Sequence, residues 1–176
     1  RTKLKPLLIA TAVSALIIYP VFGHWVWGGM FLHGQEGWLK ALGFMDFAGA
    51  SVVHMTAGGI ALAGVIVVGK RKNNTNFGSN IPLATLGVFI LIFGWLGFNG
   101  ASTTGFEEKA GLALMNTIIA GAFGMAGAIF VNVLMKKKGG YLISIFNGVL
   151  GGLVAITACS YYCMPLSAMI LGFVAG

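Results

Sequence analysis

Six apolar stretches set the predicted architecture of the chain. They cover residues 6–27, 47–69, 81–104, 110–135, 141–163 and 165–176. A helix needs about 20 apolar residues to cross the hydrocarbon layer, so the first five stretches are long enough and the sixth is too short. Runs such as "LGVFILIFGWLGF" lack the alternation of membrane β-strands. We therefore predict an all-α, polytopic transmembrane helix bundle and interpret the chain as a piece of a longer protein.

The basic residues predict the orientation of this bundle. Nine of the eleven lie before the first stretch or directly after the second and fourth, at positions 1–5, 70–72 and 136–138. The other loops carry the remaining two, Lys40 and Lys109, with all four acids: Glu36, Asp46, Glu107 and Glu108. Because basic loops stay cytoplasmic, we predict a multi-pass protein of the inner (plasma) membrane with the N-terminus of this chain in the cytoplasm.

Composition narrows the functional classes. Hydrophobic residues make up 57% of the 176 residues, charged residues 9%, and the net charge is +7. A basic protein can bind nucleic acid or anionic lipid, but the segregation of this charge to membrane flanks favours topology, so we expect contact with lipid and no nucleic-acid partner. The chain shows no phosphate-binding glycine loop, paired carboxylates or serine–histidine–aspartate set. We predict that it is not an enzyme and needs no cofactor.

Small residues and cysteines give packing signals. Small residues four positions apart predict closely approaching helices, at Ala57/Ala61, Ala120/Gly124, Gly124/Ala128 and Gly148/Gly152. Cys159 and Cys163 lie one helical turn apart near the end of the fifth stretch, without the histidines that a metal site would need. We favour packing roles for these cysteines and keep a disulfide as the alternative.

Two ionisable residues lie at the start of the second stretch: Asp46 directly precedes it and His54 lies within it. If its helix begins at Asp46, His54 lies about 12 Å deeper, close to the middle of a hydrocarbon layer about 30 Å thick. An imidazole there either is hydrogen-bonded to a neighbouring helix or lines a substrate pathway, and depth alone leaves both open. For Asp46, helix capping is favoured over direct cation binding.

Aromatic and hydroxyl residues follow near the predicted external boundary. Trp25 and Trp27 end the first stretch, where tryptophan ordinarily anchors a helix at the interface, although its ring face also attracts cations. Phe98 and Ser102 end the third stretch, and taken singly they favour packing.

In combination these segments resemble a known family. "HWVWGG", "DFAGASVVHM", "GKR", "GWLGFNGAS", "LALMNT" and "NGVLGGLVAIT" occur in the order and spacing of the ammonium transporter family, Amt/Mep/Rh, and are most similar to its bacterial Amt branch. The resemblance implies an eleven-helix channel fold of two inverted repeats plus a final helix, assembled as a homotrimer. Residues 1–176 resemble its fourth helix to the start of its ninth, which is about five and a half spans of a partial domain.

The resemblance also implies roles for the residues already named. Trp27 and Ser102 match the ammonium-binding residues of the external site, and Phe98 matches a phenylalanine that gates the pore. His54 matches the first of two pore histidines, and Asp46 matches an acid whose role in the family is structural. The family's second pore histidine and second gate phenylalanine are not found in these 176 residues.

The implied function is ammonium transport. Ammonium is recognised outside, loses its proton, and crosses as ammonia through a hydrophobic pore in which His54 relays the proton. The alternative is an Amt-like ammonium sensor joined to a C-terminal signalling domain. A cytoplasmic regulatory protein is a further partner that the family would allow.

Overall fold

The computed structural model describes residues 3–28, 36–70, 80–103, 105, 109–136 and 139–176. The chain forms two compact units, Arg1–Thr75 and Asn76–Gly176. Every regular element in the described ranges is helical, which agrees with the predicted all-α class.

The first unit contains three helices, α1 (Leu4–Trp27), α2 (Trp38–Ala41) and α3 (Ala50–Val68). Helix α1 widens into a π-helical segment at Ser14–Ile18. Pro20 is the second residue after this segment. Proline has no N–H to donate and its ring collides with the carbonyl of the residue four positions earlier, so a local widening of the helix is expected here.

Helix α3 also begins with a π-helical segment, Ala50–Met55. The backbone N–H of His54 donates to the carbonyl oxygen of Gly49 at 3.1 Å, which is the five-residue spacing of a π turn. The helix therefore starts at Ala50, and a start at Asp46 is wrong.

The second unit contains α4 (Ile81–Ala101), α5 (Ala110–Leu134), α6 (Tyr141–Thr157) and α7 (Pro165–Ala175). The Asn80 side chain caps α4 by accepting the N–H of Leu83 at 2.9 Å. Proline stands in the first turn of α4 and at the first residue of α7, where its missing N–H would have had no helical partner.

Small residues bring α5, α6 and α7 together at backbone distance. A Cβ atom on Gly152 would overlap the carbonyl oxygen of Ala120, and one on Gly124 would overlap that of Gly148. In α7, Gly172 meets the Ala120 carbonyl in the same way. This confirms the predicted close approach for the small residues of α5 and α6. The other predicted pair, Ala57 and Ala61 in α3, is exposed.

Four helices in the described ranges are long and apolar enough to span a membrane, namely α1, α3, α4 and α5. The polytopic class is thus confirmed. The fifth stretch differs from the prediction, because α6 ends at Thr157 after 17 residues and the chain then turns through 158–163. Hydropathy did not reveal this turn, since none of its residues is charged and the apolar stretch continues through it to Cys163.

The backbone contact between α5 and α6 predicts a strong effect of one methyl group. We expect Gly152→Ala to destabilise the full-length protein by about 1–3 kcal/mol, because the added Cβ has no space beside the Ala120 carbonyl. Gly87→Ala is the control, since no atom lies within 4 Å of the Cβ position there. Thermal unfolding in detergent compares the two variants, and equal melting temperatures would contradict this packing.

Candidate functional site

The Asp46 carboxylate organises the start of α3. Its Oδ1 accepts the backbone N–H groups of Gly49 and Ala50 at 2.9 and 2.8 Å, and its Oδ2 accepts those of Ser51 and Val52 at 2.8 and 2.9 Å. These N–H groups have no carbonyl partner within the helix, and the positive end of the helix dipole favours a negative charge beside them. Asp46 is only 5% exposed. This geometry favours the capping role of Asp46 over a role as a cation ligand.

Backbone geometry around Gly49 makes this arrangement possible. Gly49 has φ +109°, in the region that residues with a Cβ rarely adopt. A Cβ there would also come within 3.2 Å of the Trp27 ring. A glycine at this position therefore lets the chain turn tightly into α3 while the ring lies against its backbone.

Trp27 is held by the main chain of the same acid. Its indole Nε1 donates a hydrogen bond of 2.7 Å to the carbonyl oxygen of Asp46. Trp27 is the last residue of α1 and is partly buried. Asp46 thus fixes two things at once, since its side chain caps α3 and its carbonyl orients the indole at the end of α1.

His54 is the fifth residue of α3 and is partly buried. Counted from the helix start at Ala50, it lies four residues along the axis, within the π-helical segment. The depth of about 12 Å assumed an α-helix beginning at Asp46, and this premise is wrong; the depth itself stays a prediction. The Asp46–Gly49 segment is a turn that the carboxylate closes.

Phe98 and Ser102 lie in the second unit, at the end of α4. The Ser102 hydroxyl donates to the carbonyl oxygen of Phe98 at 2.8 Å, so its oxygen lone pairs remain available to accept from another donor. Ser102 directly follows the last helical residue, where the negative end of the helix dipole favours a cation. Phe98 is 40% exposed.

Buried polar side chains connect α4 to α5 and α6. Trp95 Nε1 donates to the Thr157 hydroxyl at 2.8 Å, and Asn99 Nδ2 donates to the Thr117 hydroxyl at 2.9 Å. The hydroxyl of each threonine in turn donates a hydrogen bond to the carbonyl oxygen four residues earlier in its own helix. Hydrogen bonds of this kind satisfy polar groups that would otherwise be costly in an apolar interior.

Asn116 of α5 makes similar buried hydrogen bonds to the turn that follows α6. Its Nδ2 donates to the carbonyl oxygens of Ser160 and Cys163, each at 2.8 Å. Sequence reasoning assigned no role to this residue. The signal was present, because a lone amide within a long apolar span usually has a partner on another segment.

Cys159 and Cys163 form a disulfide in this turn, with Cα atoms 5.5 Å apart. The expectation of two unpaired packing cysteines is therefore wrong. This Cα separation lies within the range of about 4.4–6.8 Å that disulfides require. The cysteines still pack against the apolar cluster of Ala120, Ile156 and Ala168.

The predicted site residues fall into two sets. Trp27, Asp46 and His54 belong to the first unit, and Phe98 and Ser102 to the second. Glu107 and Glu108 lie outside the described residues. In the described part of the chain, no three His, Cys, Asp or Glu side chains are grouped closely enough to hold a metal ion.

The fold and these residues define a polytopic helical membrane protein with polar groups inserted into apolar helices. Comparison with known proteins gives the family. The model described as Ammonium Transporter Family matches residues 1–176, and the chain belongs to that family.

Curated relatives agree across the whole chain. The ammonium transporter Amt2 of Archaeoglobus fulgidus is 38% identical, and the match covers 100% of this chain and 40% of that protein. The ammonium transporter of Bacillus subtilis is 37% identical, covering 100% of this chain and 42% of that protein. The chain thus spans about two fifths of the length of these relatives.

Solved structures show the same helical arrangement. A structure titled Sensor Amt Protein has a TM-score of 0.88 and 45% identity, covering 99% of this chain and 45% of that one. The crystal structure of Saccharomyces cerevisiae Mep2 has a TM-score of 0.84 and 28% identity, covering 98% of this chain and 39% of that one.

The cap on α3 predicts a severe defect when Asp46 is replaced. We expect Asp46→Ala to destabilise the full-length protein by more than about 3 kcal/mol, because four N–H groups lose acceptors and one hydrogen bond to a charged group contributes roughly 1.5–3 kcal/mol. Glu36→Gln is the control, since it breaks only the exposed Lys40–Glu36 ion pair. Thermal unfolding measures both, and a small, equal effect would show that the cap is dispensable.

Proposed function

We propose that the full-length protein transports ammonium across the membrane. The observation that carries this proposal is the arrangement of Trp27 on Asp46. The indole is fixed by a 2.7 Å bond to a carbonyl, while both oxygens of the nearby carboxylate are occupied by backbone N–H groups. A cation reaching this segment is therefore offered an aromatic ring in place of a charged ligand.

Weak recognition of this kind suits a transported ion. A desolvated contact between a cation and an aromatic face contributes about 2 kcal/mol. A hydrogen bond from a charged donor contributes roughly 1.5–3 kcal/mol. Neither is strong enough to trap the substrate at the entrance.

The same magnitudes exclude passage of a bare ion through a dry pore. Moving a small ion from water into a medium of low dielectric costs of order 20 kcal/mol in the idealised limit, far more than these contacts return. We propose that ammonium gives up its proton and crosses as neutral ammonia. Potassium has no proton to lose, so the same step provides selectivity.

Trp27 and Ser102 are the proposed substrate-binding residues. Each stands at the C-terminal end of a helix, where the dipole favours a positive charge. The Ser102 hydroxyl already donates its proton to the Phe98 carbonyl, so it can only accept from ammonium. Phe98, one turn earlier, is proposed as the pore gate, and Asp46 as the structural acid that positions Trp27.

His54 is proposed as the pore proton relay. An imidazole can accept a proton at one ring nitrogen and donate from the other, which lysine and arginine cannot do near neutral pH. An ionisable residue inside an apolar span is costly to place there, and such residues commonly mark substrate pathways.

The family also supports proposals for assembly and location. We propose a homotrimer in the inner (plasma) membrane with the N-terminus of this chain in the cytoplasm, as the basic loops indicate. Lipid and a cytoplasmic regulatory protein are the proposed partners.

The proton relay predicts the behaviour of one variant. We expect His54→Leu in the full-length protein to abolish the ammonium-dependent current in proteoliposomes, because leucine cannot carry a proton. His24→Leu is the matched control, since His24 is exposed near the end of α1, and its current should stay within about twofold of the parent. An undiminished current in His54→Leu would rule out the relay.

The aromatic contact predicts a change of selectivity. We expect Trp27→Leu to lower the preference for ammonium over methylammonium by about tenfold, because the smaller leucine no longer limits the space for the extra methyl group, which a well-fitted site discriminates by about 1–3 kcal/mol. Trp27→Phe keeps an aromatic ring but loses the hydrogen bond to the Asp46 carbonyl. This variant therefore shows whether the ring alone is enough or whether its hydrogen-bonded position is also needed. Competition between the two substrates in current measurements gives the ratio, and an unchanged ratio in Trp27→Leu would remove this residue from the binding site.

Ammonium sensing is the second candidate. The observation in its favour is the 45% identity to the Sensor Amt Protein, which exceeds the 38% identity to Amt2. A sensor could retain the Trp27 contact without conducting. A full-length protein that binds ammonium, passes no current and carries a C-terminal signalling domain would support sensing over transport.

A further inference from the structure

The turn after α6 is stabilised by a disulfide and by hydrogen bonds from a side chain of α5. The disulfide joins Cys159 to Cys163, and Asn116 of α5 donates to the carbonyl oxygens of Ser160 and Cys163. Backbone N–H groups of Tyr162 and Cys163 add two bonds to the Cys159 carbonyl, each at 2.8 Å. The two cysteine residues are partly exposed, whereas Ser160 and Asn116 between and beneath them are fully buried. Of these elements, the disulfide alone can be opened by a reagent in solution.

Position in the membrane decides which reagent reaches the disulfide. The basic loop at 136–138 precedes α6, so the turn at its other end lies on the opposite, external side by the positive-inside rule. Disulfides persist in oxidising external compartments and are rare in the cytosol. The pairing of these cysteines therefore agrees with the orientation proposed above.

The turn is also connected to the end of α4. Thr157, the last residue of α6, accepts a hydrogen bond from Trp95 of α4 at 2.8 Å. The Trp95 ring lies 6.3 Å from that of Phe98, the proposed gate, and Phe98 is bonded to Ser102. The cysteine pair begins two residues after Thr157, and the N–H of Cys159 bonds to the carbonyl of Ile156. Loosening the turn would thus shift Thr157 and weaken its hydrogen bond with Trp95.

We propose that the Cys159–Cys163 disulfide is a thiol-exchange site, through which an external thiol reductant lowers ammonium conduction by releasing the turn that directly follows Thr157, the hydrogen-bond partner of Trp95. The proposal rests on the proposed transport function. It assigns the chemical class of the reactant, a small thiol, and the segment that responds.

The exchange is balanced by two thiol molecules. The thiolate of the first attacks one cysteine sulfur, which breaks the bridge, forms a mixed disulfide and releases the other cysteine as a thiolate that takes up a proton. The second thiolate attacks the mixed disulfide and releases the remaining cysteine, which is also protonated. Two electrons pass to the protein, and the reagent leaves as its own disulfide.

The test uses full-length protein in right-side-out membrane vesicles. The membrane-impermeant thiol 2-mercaptoethanesulfonate is added outside, the ammonium-dependent current is measured, and alkylation with mass spectrometry reports the state of the two cysteines. We expect the current to fall at least threefold as the disulfide opens and to recover when the cysteines are reoxidised. The Cys159→Ser/Cys163→Ser double variant should show no response to the thiol.

Several results would overturn the proposal. These are a disulfide that the external thiol leaves intact, a current that stays constant after reduction, and an equal response of the double variant. If the double variant does not fold, the parent protein provides the test. Its current should recover on reoxidation, because a current lost through denaturation would not recover.

A failure of the transport proposal is recognised separately. If the oxidised parent protein carries no ammonium-dependent current and produces no change of pH inside the vesicles from ammonia entry, transport itself is wrong, and the same vesicles are assayed for the ammonium-dependent change in tryptophan fluorescence. If reduction makes the fluorescence change at least threefold smaller, the exchange site controls ammonium binding. If reduction leaves the size of the fluorescence change the same, the proposal is overturned.

Discussion

Four backbone N–H groups converge on the Asp46 carboxylate, and the first unit depends on this interaction. In an apolar helix start, those donors would otherwise be unsatisfied at a cost of several kcal/mol each in hydrocarbon. The acid solves this problem with one side chain, and its carbonyl then orients Trp27. A buried carboxylate here need not be a ligand, because its negative charge is already balanced by the helix terminus. His54 follows within the helix that this cap begins.

Helix packing in the second unit rests on a different constraint. Lipid tails are as apolar as leucine, so helices in a membrane gain little from burying apolar surface against one another. Gly124, Gly148 and Gly152 instead allow backbones to touch, and this close approach carries van der Waals contact along α5 and α6. Hydrogen bonds such as Trp95–Thr157 and Asn99–Thr117 then fix the register of α4 against its neighbours.

The two constraints have a common functional consequence. Each unit ends a helix next to an aromatic or hydroxyl side chain whose own hydrogen bond is directed at a backbone carbonyl, at Trp27 and at Ser102. Such groups are held in place without a formal charge, and under the proposed function they would offer ammonium modest, directional contacts at the negative ends of helix dipoles. Modest contacts suit a substrate that must be released. The disulfide next to the anchor of Trp95 adds a covalent element that solution chemistry can reverse.

The amino-acid sequence alone determined the membrane class, the position of four spans and the family. Hydrophobic length and ordered motifs are local properties, and a bilayer permits few alternatives to a helix. The structure decided where α3 begins and α6 ends. The start of α3 depends on how the nearby Asp46 side chain folds back onto Ala50, and the turn after α6 depends on Asn116, which reaches Ser160 from another helix. The same holds for the disulfide. Hydropathy reports neither the turn at 158–163 nor the approach of Asn116 to Ser160, because both depend on hydrogen bonds and not on apolar length.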